Sequence, residues 1–181
     1  MQIKIWNLLD GKKHTVAIVG AGGKTTVMYE LAAYLSRKGK KVLVSTTTHI
    51  YKPPQEVFAE NKQQLLSLWQ RGSYAVCGRQ AQAENKLIMP EAAVLQDYMQ
   101  LADITLLEAD GAKGKSCKVP AAHEPVVLPQ CDIVLGVLGL DAVGQKVREV
   151  CFRTELVQRR LRRPSLTMPA PKRNACSKRL G

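Results

Sequence analysis

The stretch that decides the fold is Thr15-Val16-Ala17-Ile18-Val19-Gly20-Ala21-Gly22-Gly23-Lys24-Thr25-Thr26, near the amino terminus. Thr15 to Val19 is a short apolar run rich in β-branched residues, which predicts a buried strand. Apolar residues then recur at four-residue spacing from Val27 to Leu35, which predicts an amphipathic helix. A strand, a glycine loop and a helix in this order form the local arrangement of a phosphate-binding loop.

The chemistry of this loop suits a nucleotide. Glycines let backbone N–H groups approach phosphate oxygens closely, and the positive end of the following helix points at the same anion. Lys24 is expected at the β and γ phosphates, and the Thr25 hydroxyl at Mg²⁺. The loop is shorter than the usual P-loop, because Ile18 stands where that motif has a glycine; a glycine-rich turn with an exposed lysine is the alternative. We therefore expect ATP or GTP with Mg²⁺, bound by Gly20, Ala21, Gly22, Gly23, Lys24, Thr25 and Thr26.

Outward from the loop, apolar runs alternate with helical patterns. This alternation predicts an α/β fold, a P-loop-like three-layer domain with a mainly parallel sheet. We expect one nucleotide-binding domain over residues 1–158 and a basic tail without native structure over residues 159–181. The further strands are predicted over 42–45, 74–77, 104–107 and 133–138, and amphipathic helical stretches over 55–69 and 94–102.

An apolar run that ends in carboxylates, Leu106-Leu107-Glu108-Ala109-Asp110-Gly111, has the form of a Walker B segment. If its strand lies next to the first strand, Glu108 or Asp110 reaches the metal or an attacking water. Which of the two faces the site is open, and a solvated strand end is the alternative. The predicted metal ligands are thus Thr25, Glu108 and Asp110.

Three further segments hold polar candidates. Hydroxyls of Thr46 to Thr48 follow the second strand and could reach the γ-phosphate, although threonines are equally common at strand ends. Lys113, Lys115 and nearby Lys118 could hold an anionic second substrate. The neighbours His123 and Glu124 could act as acid or base, although sequence neighbours on a loop rarely face each other. The predicted catalytic residues are Lys24, Glu108, Asp110, His123 and Glu124.

Composition limits the remaining classes. The five cysteines are scattered without a C-x-x-C pair, so we expect reduced thiols and no structural zinc. Residues 1–13 do not resemble a signal peptide, and the longest uncharged apolar stretch, Ile133 to Leu140, is too short to cross a bilayer. A cytoplasmic protein without a membrane partner is therefore expected.

The net charge of +12 is concentrated at the carboxyl end. Residues 151–181 contain nine Lys or Arg and one acid, a local charge of +8, which leaves +4 for the rest of the chain. A nucleic-acid-associated protein that binds through this tail is one alternative function. Phe152 is the only aromatic residue there, so base stacking is not indicated and nucleic acid is not the expected partner. A nucleotide-dependent scaffold without turnover is another alternative.

Together these motifs resemble the YqeC-type selenium cofactor biosynthesis family, also called selenium-dependent molybdenum hydroxylase accessory proteins. The resemblance implies a nucleotide-binding accessory protein, an NTPase or phosphotransferase, that helps to mature molybdenum hydroxylases with a labile selenium at the molybdenum cofactor. A molybdenum hydroxylase or its maturation proteins would be partners, and His123, Glu124 and Asp141 become site candidates. The matching segments lie, in order, at residues 17–26, 46–48, 108–114, 120–125 and 136–141.

The resemblance covers residues 15–155. Members of the family continue through further α/β elements beyond the position of Arg153, whereas this chain continues with an Arg-, Pro- and Ser-rich segment. We therefore expect the tail to be out of frame or the chain to be truncated.

Overall fold

The computed structural model describes residue 9, residues 12–82 and residues 85–161. Two short 3₁₀ turns, Gln55–Val57 and Leu140–Ala142, accompany the regular elements. In chain order these are β1 (His14–Gly20), α1 (Lys24–Arg37), β2 (Val42–Thr46), β3 (His49–Tyr51), α2 (Lys62–Gln70), β4 (Ala75–Val76), β5 (Arg79–Gln80), β6 (Lys86–Ile88), α3 (Ala92–Leu101), β7 (Ile104–Glu108), β8 (Cys117–Lys118), β9 (Ile133–Val137), α4 (Val147–Val150), β10 (Cys151–Phe152) and α5 (Thr154–Leu161).

Five strands form the main sheet, in the order β4-β2-β7-β1-β9. Every neighbouring pair is parallel, which confirms the predicted α/β class. The strand that carries the acidic motif, β7, lies directly beside β1, with Ile18 opposite Glu108. Because parallel strands end at the same edge of a sheet, the glycine loop and the acidic residues meet there.

Helices cover the two faces of this sheet, which gives three layers. On one face, α1 packs Met28, Leu31 and Leu35 against alternate residues of β1, β2 and β7. On the other face, α2 and α3 pack against the intervening positions, among them Leu43 and Leu107. This alternation is the period-two pattern of strands, and both apolar clusters consist of buried side chains.

The outer strand β9 is covered differently. Its side chains alternate between half-buried and exposed, and Ile133, Leu135 and Val137 contact the core on the α1 side. Val134, on the opposite face, is 57% exposed. Among the described residues, no helix covers that second face of β9.

Two small sheets extend from the main one. The strands β3, β6 and β5 form an antiparallel sheet, with β3 and β5 following the carboxyl ends of β2 and β4. The strands β8 and β10 form a parallel pair.

The predicted helical stretch over 55–69 is wrong in its first part. Residues 55–57 form a single 3₁₀ turn, and α2 starts only at Lys62, after Asn61. Asn61 is a favourable N-cap, because its side chain accepts a hydrogen bond from the Gln64 N–H at 3.0 Å.

The predicted basic tail and the predicted lack of a membrane-spanning segment concern the carboxyl end of the chain and its apolar stretches. Of the predicted basic tail, residues 162–181 lie outside the described residues. No helix in the described part of the chain is long and apolar enough to cross a membrane.

Candidate functional site

The glycine loop turns the chain sharply between β1 and α1. Gly20, Gly22 and Gly23 all have positive φ angles, a region that favours glycine. At Gly22 the space is also closed, because a Cβ there would overlap the backbone of Gly139. Glycine is therefore required at position 22 both by its dihedral angle and by the close approach of a second backbone segment.

Backbone groups of this loop fall into two sets. The first set is used inside the protein: the Ala21 N–H donates to the Val137 carbonyl at 2.9 Å, and the Gly22 N–H to the Lys115 carbonyl at 3.1 Å. The second set, the N–H groups of residues 23–26, begins α1 and donates to no acceptor in the described ranges. These N–H groups stand at the positive end of the helix, where an anion is favoured.

The Lys24 side chain folds back onto the end of β1. Its Nζ donates to the Gly20 carbonyl at 2.8 Å and lies 3.2 Å from Asp110 Oδ1 and 3.8 Å from Glu108 Oε1. The side chain is only 5% exposed. Lys24 thus neutralises both predicted acidic residues in this structure.

Glu108 ends β7 and faces α1. The Thr25 hydroxyl donates to its Oε2 at 3.0 Å. Burial raises the pKa of the Glu108 carboxyl, and the opposing effects of Lys24 and Thr25 only partly offset this rise.

Thr46, the last residue of β2, and Thr47 make hydrogen bonds to the backbone around Glu108. The Thr46 hydroxyl donates to the Glu108 carbonyl at 2.9 Å, and the Thr47 N–H donates to the same carbonyl at 3.0 Å. The Thr47 hydroxyl donates to the Val126 carbonyl at 2.7 Å. These hydroxyls hold the end of β7 and a neighbouring loop in position.

Asp110 has a different environment from Glu108. Both of its oxygens accept from the Gly20 N–H, at 3.0 and 3.2 Å, and Lys118 Nζ lies 3.1 Å from Oδ2. Its side chain is 2% exposed. Glu108 and Thr25 therefore offer oxygens that suit Mg²⁺, whereas Asp110 is already surrounded by donors. The described residues include no cluster of three or more His, Cys, Asp or Glu that could hold a metal ion.

An ion-pair network continues outward from Asp110. Lys118, whose side chain is 2% exposed, also contacts Glu124, with Nζ 2.8 Å from Oε2. Glu124 accepts two hydrogen bonds from the Arg153 guanidinium, a bidentate pair. These bonds, together with Lys118, lower the pKa of Glu124 to about 2.

His123 does not join this network. Its side chain is exposed and makes no hydrogen bond or ion pair with any residue in the described ranges. The structure therefore brings Glu124 to Lys118 and Arg153 and does not bring it to His123. Arg153 has no local sequence signal as a site residue, because it meets Glu124 only through the fold.

The free N–H groups of α1 open into a cavity of about 630 Å³. The loop of residues 111–115 forms one wall, and the small antiparallel sheet forms another, with His49, Tyr51 and Lys86. Lys86 Nζ lies 5.4 Å above the Tyr51 ring.

Three lysines of this cavity, Lys86, Lys113 and Lys115, pair with no carboxylate in the described part of the chain. Two of these cations were candidates from the sequence. Lys86 and Tyr51 were not predicted as site residues. The sequence indicates their strands, β6 and β3, only through the alternation of polar and apolar residues.

Asp141 lies beside the loop rather than in the cavity wall. The Ser116 hydroxyl donates to its Oδ2 at 2.6 Å, and the Gly139 N–H donates to the Ser116 carbonyl at 2.8 Å. These contacts connect the segment after β9 to residues 115–116, which contact Gly22. Asp141 thereby supports the wall against which the glycine loop packs.

Comparison with known proteins gives one family. A family model described as YqeC protein matches residues 16–155. The chain is 32% identical over 138 residues to a protein of Escherichia coli (strain K12) named Uncharacterized protein YqeC. The alignment covers 73% of this chain and 54% of that relative, so the chain spans about half the length of the curated relative it matches. No solved structure matches the chain.

Proposed function

The chain belongs to the YqeC family, and from this premise we propose that it binds a nucleoside triphosphate, ATP or GTP, together with Mg²⁺. The observation that carries the proposal is the set of four free N–H groups at the start of α1, which open into the cavity beside Lys24 and Glu108. A triphosphate matches this arrangement in charge, because a helix amino end and three lysines that pair with no described carboxylate favour an anion.

Each residue has a role in this proposal. The N–H groups of residues 23–26 bind phosphate oxygens, and Lys24 leaves Asp110 to bind the β and γ phosphates. Lys118 and the Gly20 N–H stay on Asp110, so this buried carboxylate keeps its compensation when Lys24 moves. The Thr25 hydroxyl and Glu108 hold Mg²⁺, which neutralises charge on the phosphates.

The proposed reaction is transfer of the γ-phosphoryl group. A bond forms between an attacking oxygen and the γ-phosphorus, while the bond from that phosphorus to the β–γ bridging oxygen breaks and releases the diphosphate. Glu108 accepts the proton of the attacking hydroxyl through the carboxylate oxygen that does not hold Mg²⁺. The acceptor is water in an NTPase; Lys86, Lys113 and Lys115 favour an anionic acceptor and thus a phosphotransferase.

Thermal unfolding with ATP, GTP or neither, each with and without Mg²⁺, tests nucleotide binding. A ligand of the folded state stabilises it by about 2.7 kcal/mol at a hundredfold excess over its dissociation constant. We expect a Mg²⁺-dependent rise of the midpoint with one nucleotide and its loss in Lys24→Ala. Lys38→Ala, a change at an exposed lysine at the other end of α1, is the matched control and should keep the rise.

The same samples separate the possible activities. Release of inorganic phosphate indicates an NTPase, and binding without release indicates the nucleotide-dependent scaffold. No rise with either nucleotide, in a chain that unfolds cooperatively, contradicts the proposal. The midpoint of Lys24→Ala without nucleotide shows whether that variant is folded, so a loss of binding is not confused with a loss of structure.

We further propose that this activity serves maturation of the selenium-containing molybdenum cofactor of molybdenum hydroxylases. The support is the resemblance to the selenium cofactor biosynthesis family, in motifs that include the glycine loop and Glu108 to Gly114. The test is the selenium content of a molybdenum hydroxylase in cells that lack the gene. We expect restoration by the natural chain and not by Lys24→Ala; equal restoration by both would separate the selenium role from the nucleotide site.

A further inference from the structure

Two cysteines that are far apart in sequence face each other in the small parallel sheet. In the pairing of β8 with β10, Cys117 lies opposite Cys151, and Lys118 lies opposite Phe152. Cys151 is 3% exposed, whereas Cys117 is half-buried and therefore open to small molecules. Both thiols belong to one apolar cluster with Val147 and Val157.

Their placement suits a disulfide. Neighbouring strands lie about 4.8 Å apart, and the Cα atoms of a disulfide are usually about 4.4–6.8 Å apart. Directly paired residues on adjacent strands point to the same face of a sheet, so both side chains start in the same direction. Burial raises the pKa of the Cys151 thiol to about 12, and the adjacent Cys117 contributes to the rise.

We propose that Cys117 and Cys151 are a redox-active dithiol that closes to a disulfide when the chain meets a small-molecule disulfide. The half-buried Cys117 thiolate attacks the external disulfide, which releases one thiol and leaves a mixed disulfide on Cys117. The Cys151 thiol then loses its proton and attacks the Cys117 sulfur, which releases the second thiol; this step is the slower one, because the pKa of Cys151 is raised. The protein loses two electrons and two protons, and the external disulfide is reduced to two thiols.

The disulfide would form next to residues of the ion-pair network around Glu124. Lys118 follows Cys117 and contacts Asp110 and Glu124, and Arg153 lies two residues after Cys151 and binds Glu124. A disulfide between β8 and β10 would therefore fix Lys118 and Arg153 in their places around Glu124. It would also constrain the unfolded chain over the 33 residues that lie between the two cysteines.

The test uses the full chain with Cys176→Ser, which removes the one cysteine that lies outside the described residues and leaves four. This chain is equilibrated in defined ratios of oxidised to reduced glutathione, alkylated and digested with trypsin. We expect a disulfide-linked pair of peptides, residues 116–118 with residues 149–153, and a fall in free thiols from four to two. The linked pair should disappear in Cys117→Ser and in Cys151→Ser and persist in Cys131→Ser.

A second measurement reports on the folded state. The oxidised chain should have a higher midpoint of thermal unfolding than the reduced chain, and the difference should vanish in Cys151→Ser. The proposal is overturned if a chain that is folded by circular dichroism gives no linked peptides at any glutathione ratio. It is also overturned if glutathione stays on Cys117 without transfer to Cys151, or if the link forms no more readily in the native chain than in urea.

Discussion

The two strands beside β1 differ in how they are held. In β7 all five residues are buried, because α1 covers one face and α2 and α3 cover the other. In β9 only the side chains on the α1 face are partly buried, and Val134 on the other face is 57% exposed. Both strands make parallel ladders with β1, so the difference comes from side-chain packing rather than from the backbone.

The two strands contribute different groups to the surroundings of the glycine loop. The strand β7 carries Glu108 at its end and leads to Asp110, which makes ion pairs with Lys24 and Lys118. The segment at the end of β9 offers backbone instead: the Val137 carbonyl accepts from the loop, and Gly139 packs against Gly22. Tight packing around β7 holds the charged side chain of Glu108 in a fixed place. The backbone of residues 137–139 contacts the loop through hydrogen bonds and does not need buried side chains on both faces of β9.

The largest expected effect is a truncation in β7. Leu107→Ala should lower the free energy of unfolding by about 4 kcal/mol, because Leu107 is fully buried and the change leaves a cavity. Leu138→Ala, the same change in a side chain that is 49% exposed just after β9, should cost less than about 1 kcal/mol. Urea denaturation measures both. Equal losses would remove the proposed contrast between the two strands.

The second effect concerns the close contact between the glycine loop and the backbone at the end of β9, residues 137–139. Gly22→Ala should cost about 3 kcal/mol, because a Cβ at φ +71° would also overlap the Gly139 backbone. Gly23→Ala should cost about 1.5 kcal/mol, because its φ is also positive but the space around it is open. Unfolding midpoints in urea compare the two variants. A smaller loss for Gly22→Ala than for Gly23→Ala would show that residues 137–139 are not a rigid wall.

The third effect is a pH dependence of the ion-pair network that starts at Asp110, just after β7, and reaches Glu124 through Lys118. The pKa of Glu124 is about 2 in the folded chain and lies near 4.5 when unfolded. The unfolded state therefore binds more protons in acid, and stability should fall from pH 4.5 towards pH 2, by about 1–2 kcal/mol after a discount for solvent screening. Urea denaturation across this range should show a shallower fall in Glu124→Gln.

Glu108 should act in the opposite sense. Because burial raises the pKa of its carboxyl, the folded state holds a proton more tightly there, and stability falls as pH rises above the ordinary value for glutamate. Glu108→Gln is thus the matched control for Glu124→Gln, since it should remove the loss that begins above the ordinary pKa of glutamate and leave the fall towards pH 2 in place. An unchanged acid limb in Glu124→Gln would contradict the assigned role of Arg153.

The smallest expected effect is on the open face of β9. Val134→Thr should change the free energy of unfolding by less than about 0.5 kcal/mol, because the side chain is largely exposed and threonine suits a strand. Denaturation at two protein concentrations measures it. A loss well above 1 kcal/mol that grows with protein concentration would mean that a second copy covers this face.

The sequence predicted the central architecture because its signals are local. The apolar runs, the glycines at 20, 22 and 23 and the period of α1 are each contained in a few residues. The acidic residues could reach the glycine loop only if their strand lay next to the first strand. The structure places β7 directly beside β1.

The details of the site depend on contacts that no local pattern contains. Glu108 and Asp110 differ because Lys118 and the Gly20 N–H reach only Asp110. Arg153 meets Glu124 across 29 residues. Cys117 meets Cys151 at a sequence separation of 34, and the scattered spacing of the cysteines does not indicate this pair. The predicted start of the helix at residue 55 was wrong for a local reason. The apolar period extends the helix back to residue 55, whereas Asn61 caps it so that it starts at Lys62.

The sheet order has a consequence for synthesis on the ribosome. The strand β1 ends at residue 20, but its first partner, β7, begins at residue 104, so 104 − 20 = 84 residues must be added before it can pair. At translation rates of about 5–20 residues per second, β1 waits about 4–17 s with both edges unpaired. During this interval the nascent chain presents an apolar strand that other chains can join, which makes it a natural client for a chaperone.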